Sequence, residues 1–397
     1  MKKVKADFLI IGAGIIGLAL GLKLKERFPE KEVYIIEKEK ELGFHSSGRN
    51  SGVLHAGFYY YPDSLKAKFT KKGNEELTRY CEVKGLGIRK CGKVVVAKSE
   101  EDLPTLYELK RRGEANGVEV YLIDEKELKD LEPNAKTFQK ALWSPTTSTV
   151  DPIEVLNALK KDLETMGVKF FFNTPYQKRL GENEIFAGKI LFSAEKIINA
   201  SGLYADKIAK DFGFGKDYVI LPFKGLYLEY TGTSQFISRN IYPVPNLKNP
   251  FLGVHFTIKI DGTIKIGPTA TPCLSRENYG LFSNFKLNEM TEIGKYLFLL
   301  FFKNSKFRSL ALDELKKYWK SYLISEAQKL VYYMDQRGFN RWGKPGIRAQ
   351  LLHKDTLELV QDFVVEGDQH SLHILNAVSP AFTACLPFAE YVVTRFL

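Results

Sequence analysis

Sulfur and tryptophan are scarce in this chain of 397 residues, which has four Cys, four Met and three Trp. Cys81, Cys91, Cys273 and Cys385 are scattered and form no CxxC pair. That excludes a disulfide framework and a cysteine zinc site, and it suits reduced thiols in a cytoplasmic protein. The six His include no pair at ligand spacing and the acids are dispersed, so no metal centre is expected. A serine nucleophile elbow is missing too. So is any apolar run of the roughly 18 residues that span a bilayer; Tyr296 to Phe302 has only seven. Repeats, low-complexity tracts and long linkers are absent.

The N-terminus imitates a signal peptide, with Lys2, Lys3 and Lys5 before a mostly apolar stretch. Three glycines and the amphipathic continuation through Lys23, Lys25 and Glu26 argue against that reading. With 44% hydrophobic and 13% aromatic residues, the chain can bury a large core and divide into two domains. The net charge of +11 attracts nucleic acid, anionic lipid and acidic small molecules alike. Lysine is interleaved with acid, as in KERFPEKE and EKEKE, which reads as a solvated face. No nucleic-acid motif is present, so no nucleic-acid partner is expected; peripheral contact with the inner face of a membrane is compatible with the charge.

Against these absences stands one complete arrangement. Asp7 to Ile11 is an apolar run that reads as a buried strand, and Gly12-Ala13-Gly14-Ile15-Ile16-Gly17 follows directly. Leu18 to Leu24 continues as a helix-length stretch. Val33 to Ile36 then ends in Glu37, 20 residues after Gly17. Gly12 permits the tight turn, Gly14 lets the backbone approach a pyrophosphate, and Gly17 lets the helix pack on the strands. The helix N-terminus faces the phosphates, and Glu37 can accept from ribose hydroxyls.

Further along, a helix is expected near Leu65 to Tyr80, a strand at Lys93 to Ala97 and a helix around Leu106 to Ala115. Val118 to Ile123 reads as a strand and Glu125 to Leu131 as a short helix. Asp151 caps a helix with Pro152 at its first position. Val168 to Asn173 and Lys196 to Ala200 read as buried parallel strands. Residues 217 to 270 alternate as an antiparallel sheet, 287 to 334 are helical, and Asp362 to Leu397 reads strand, strand, helix.

Three further segments narrow the class. The first is Gly-rich, from His45 through Asn50-Ser51-Gly52-Val53-Leu54-His55-Ala56-Gly57 to Ser64-Leu65-Lys66. The second is Ile198-Asn199-Ala200-Ser201-Gly202. The third is Tyr242-Pro243-Val244-Pro245 with Phe251 to Thr257. Together with Gly346 to Gln350 and Asn376 to Ala381 they resemble the D-amino-acid-oxidase-like FAD oxidoreductases, and within them the L-2-hydroxyglutarate oxidase/dehydrogenase branch. Arg49, where the branch often has His, and the bulky Phe382-Thr383-Ala384-Cys385 run depart from that pattern.

The resemblance implies an α/β fold with a Rossmann-type FAD-binding domain of the glutathione-reductase-2-like kind and a second, mostly antiparallel α+β substrate domain. The FAD domain would be discontinuous, over 1–80, 150–215 and 340–397, leaving 81–149 and 216–339 to the substrate. It implies cofactor contacts at Ile15, Ile16, Lys38, Ser47, Asn50, Ser51, Gly52 and Val53, beside Gly12, Gly14, Gly17 and Glu37. Ala200 and Gly202 would lie by the pyrophosphate. Ser379, Pro380, Ala381, Phe382 and Thr383 would start the final helix under the flavin's pyrimidine edge, where a helix dipole stabilises the negative charge of reduction.

Oxidation of a 2-hydroxy acid needs a cation for the carboxylate, a base for the hydroxyl proton and a hydride acceptor. Arg348 is the expected carboxylate fork. His55 and His255 are both expected in the site, with His55 slightly favoured as base. Lys66 and Lys224 are candidates for a second cation. Tyr60 and Tyr242 are candidate donors or walls, Tyr59 is similar, and Tyr61 reads as core. His45 is a weaker candidate for flavin contact; His353, His370 and His373 read as structural. The electrons would pass to O2 or a quinone. An amino acid or secondary amine, oxidised to the imine, is the alternative substrate.

Overall fold

The structure is a computed structural model that describes residues 2–247, 251–280 and 284–397. Its first sheet forms around the strand Lys2–Ile11, whose last residues are buried on both faces, as a continuous apolar run requires in a parallel sheet. Val33–Ile36 pairs on one side and Ile190–Asn199 on the other, so Ile10 faces Ile35 and Ile198. Lys169–Phe171 extends the sheet beyond Val33–Ile36, and Ser371–Ile374 joins the end of Ile190–Asn199, all in parallel. Helices Ile15–Arg27, Pro152–Thr165 and Cys385–Phe396 cover this sheet through Leu18, Leu159, Phe388 and Val392. Asp151 caps its helix by accepting from the Ile153 amide at 2.7 Å, with Pro152 next in line as the sequence predicts.

The second large sheet has eight strands, in the order Phe339–Trp342, Leu228–Tyr230, Ile264–Gly267, His255–Ile258, Asn240–Pro243, Lys93–Val96, Lys140–Ser144 and Tyr121–Asp124. Asn240–Pro243 and Lys93–Val96 run parallel, and the other neighbours are antiparallel. A smaller sheet pairs Tyr218–Gly225 with Gly346–His353, which sets Phe223 opposite Arg348. It joins a segment from each of the two parts expected from sequence. The 287–334 segment forms helices Leu287–Lys303, Ser305–Lys316 and Lys320–Gln328. Among the described residues no helix is long and apolar enough to cross a membrane, and all four cysteines are buried and unpaired.

Several expectations are corrected. The final helix starts at Cys385, not Ser379; residues 379–384 form turns, pinned where the Thr383 hydroxyl accepts the His55 amide at 3.1 Å. Phe251 to Gly253 is not strand: Gly253 has φ +77°, so pairing begins only at His255. Tyr61 is 60% exposed, not core, with the Arg112 guanidinium over its ring. An unpredicted hairpin, Tyr176–Arg179 with Glu184–Ala187, edges the first sheet; its Tyr-Gln-Lys-Arg strand lacks the apolar alternation that would announce it.

Candidate active site

A cavity of about 980 Å³ runs from the nucleotide loop to the second sheet. At one end Gly12 turns with φ +107°, and a Cβ there would stand 2.7 Å from the Ala200 carbonyl oxygen. A Cβ on Gly17 would stand 1.9 Å from the Gly12 oxygen, so only glycine lets the helix start this close to its own strand. The Ser47 hydroxyl accepts the Ile15 amide at 3.0 Å, which leaves its own proton for an anionic oxygen. Glu37 accepts from the amides of Ala13 and Glu39, both at 3.0 Å. Asn50 knits the Gly-rich loop by donating to the Ser47 carbonyl and accepting the Gly52 amide, both at 2.8 Å.

Of the expected cofactor residues, all line this cavity except Gly17 and Gly52. Those two act through backbone shape: Gly52 has φ +76° and leaves room for the Val150 carbonyl. Lys38 pairs with Glu39 and, at 2.8 Å, with Glu277; these contacts hold its ammonium above the usual lysine range although burial acts the other way. His45 bridges Glu39 and Tyr279. The ligand atoms of Glu39, His45 and Glu277 cluster within 4.8 Å, but the Lys38 ammonium already lies against both carboxylates.

At the other end the cavity meets Arg348, His55, His255, Tyr227 and Tyr242. Arg348 lies over the Phe251 ring at 4.9 Å; burial pulls its guanidinium below the usual range, while Tyr227 and Tyr60 oppose the shift. His255 stacks on Tyr242 with centroids 3.7 Å apart. Its Nδ1 lies 2.9 Å from the Gly253 carbonyl. A carbonyl only accepts, so Nδ1 carries the hydrogen and Nε2 is left as a lone pair. Burial lowers this imidazole to about 3, helped by Lys93 and Lys265 and opposed by the Gly253 bond. His55 is likewise driven well below its ordinary value, by burial and then by Lys93, His255 and Arg348. Its Nδ1 has no partner among the described residues.

Tyr60 and Lys66 stand just behind this wall and do not line it. Tyr60 lies beside Ser379 and Arg348, with its phenol pushed up by burial. Lys66 is pulled down to about 7 by burial and then by Arg348, with Asp362 opposing. Lys224 is elsewhere: its ammonium donates to Asn278 and, at 3.0 Å, to the Gly280 carbonyl. His373 is fully buried against Asn199, in a structural position. Sequence reasoning missed Tyr227, Lys265 and Lys93. For the two lysines a signal existed in Lys93-Val94-Val95-Val96 and Ile264-Lys265-Ile266, where a charge interrupts strands that are otherwise apolar.

A family model described as FAD dependent oxidoreductase matches residues 7–393. The chain belongs to this family. As a flavoenzyme its cofactor is FAD, and the glycine cradle and the free Ser47 proton suit that cofactor's pyrophosphate. It is 36% identical to an L-2-hydroxyglutarate dehydrogenase of Indibacter alkaliphilus, over 98% of this chain and 99% of the relative. It is 35% identical to the mitochondrial L-2-hydroxyglutarate dehydrogenase of Mus musculus, over 96% and 86%. Its fold matches L-alpha-glycerophosphate oxidase of Mycoplasma pneumoniae, solved with FAD bound, at TM-score 0.75 and 22% identity, covering 98% of this chain and 94% of that one.

Proposed function

We propose that this flavoenzyme oxidises L-2-hydroxyglutarate to 2-oxoglutarate. The carrying observation is a half-buried guanidinium, Arg348, facing the same cavity as two buried histidines held uncharged. Arg348 binds the C1 carboxylate as a bidentate fork. His255 takes the hydroxyl proton on Nε2. Sequence favoured His55, but the Gly253 bond fixes the tautomer of His255 alone. His55 orients the hydroxyl, and Lys66, behind Arg348, adds positive charge for a second carboxylate. FAD, when bound, supplies the two-electron acceptor for the C2 hydride. One proton and one hydride thus leave the alcohol, giving the ketone.

We take the residues that hold FAD to be those lining the nucleotide end of the cavity, and the chain to divide into an FAD part and a substrate part joined through the Arg348 strand. Dioxygen or a quinone would receive the electrons. The helices of 287–328 favour quinone at a membrane surface: Phe298, Phe302, Leu315 and Trp319 are exposed, and Lys295, Lys303, Lys316 and Lys320 are exposed on the same helices.

Anaerobic mixing of the holoenzyme with L-2-hydroxyglutarate, D-2-hydroxyglutarate, glycine and D-alanine tests the proposal. Bleaching of the flavin's visible band by the first alone is the expected result. Bleaching by an amino acid, or by no hydroxy acid, overturns it.

A further inference from the structure

Lys93 is the most unusual charge in the molecule. It is fully buried, at 0% exposure, on a strand of the second sheet. Its Nζ has no hydrogen-bond partner among the described residues. Instead it sits over three rings, Phe58 at 4.6 Å, Tyr59 at 4.5 Å and Tyr242 at 4.8 Å. Desolvating an ammonium is costly, and ring faces return only part of that cost. A methionine of similar shape would avoid the penalty altogether. The cage is therefore poor as a structural device, and its location suggests another use: Tyr242, which touches the ammonium, is also the ring stacked on His255.

We propose that Lys93 is a positioning residue for the cavity's proton-accepting histidine, acting through Tyr242. The assignment rests on the proposed function for its substrate and for His255 as proton acceptor. Lys93 lies across the Tyr242 ring from His255, and burial first and then this charge oppose a positive charge on His255 and His55. His255 is thereby kept as a lone-pair acceptor, and the hydroxyl proton moves to Nε2 only when substrate carboxylates have brought compensating negative charge. Other groups acting on the imidazole are Lys265 and a charged His55, which act in the same sense, and the Gly253 carbonyl, which opposes it. Around Lys93 itself burial draws the lysine down to about 7, with Cys91 opposing.

The test compares wild-type holoenzyme with Lys93→Met and Lys93→Arg. With the charge removed, the acidic limb of the kcat/KM profile for L-2-hydroxyglutarate should move up by about one pH unit. Lys93→Arg should restore it, and thermal stability of Lys93→Met should equal or exceed wild type. An unmoved limb with lowered stability would show a merely structural lysine and overturn the proposal. A second readout needs no turnover. In histidine-labelled NMR spectra, assigned with His255→Asn, wild-type His255 should remain the neutral Nδ1–H tautomer at about pH 6. An imidazolium there overturns the proposal even if Lys93→Met does not fold, and because no substrate is used, its outcome is separate from that of the proposed reaction.

Discussion

At the scale of single residues, the site works through charges that have been taken out of water. Arg348 faces the cavity, so its loss should be felt in binding before anything else. Arg348→Ala should raise KM for L-2-hydroxyglutarate about 100-fold or more while the protein keeps its FAD. Steady-state kinetics beside the flavin spectrum check this; an unchanged KM removes Arg348 from the site. The buried histidines set a pH dependence of a different kind. His55, His255 and His373 all have depressed folded-state values, His255 about 3 and His373 about 4, against an ordinary 6.5. Unfolded chain binds their protons first, so stability is full above about pH 6.5 and falls as pH drops toward the folded values. The loss should be about 1 kcal/mol per histidine per pH unit. Melting curves at pH 7 and 5 read it, and a flat midpoint contradicts the assignment.

At the scale of elements, the first turn of Ile15–Arg27 has least room for change. Gly17→Ala puts a methyl into the Gly12 carbonyl oxygen and should cost about 3 kcal/mol, with loss of FAD. Retained flavin and an unshifted Tm would show that the helix can slide. The three helices after Leu287 face outward with aromatics and lysines together. They should bind vesicles rich in anionic lipid, weakly in high salt, and Phe298→Ser with Trp319→Ser should abolish it; sedimentation that ignores both salt and substitution rejects the membrane reading. These two elements also show what sequence can and cannot tell. The nucleotide loop was legible because each glycine answers to a local backbone demand, and Asp151-Pro152 because a cap is a local device. The parallel pairing of Lys93–Val96 with Asn240–Pro243, and the burial of Lys93 that comes with it, depend on segments far apart in the chain. No local pattern carries that information, nor could one place Lys224: a strand lysine declares no face until its partners are known.

At the scale of the whole molecule, the cavity is a seam. Its nucleotide end comes from strands at both extremes of the sequence, and its chemical end from a sheet built of the middle. The bleaching experiment is therefore a test of the assembled chain, because Arg348 and the glycine loop lie in one part and His255 in the other.

The parallel sheet around Lys2–Ile11 has a consequence for how the protein is made. Its nucleotide loop is made well before the neighbour strand Ser371–Ile374 and the covering helix Cys385–Phe396. During synthesis the loop has no finished wall to lie against, and non-local pairing of this kind is slow. A complete wall for the flavin thus exists only once residues 371–396 have been made. A ligand that binds only the folded chain stabilises it by mass action, so cofactor supply bears on the survival of the fold as well as on activity.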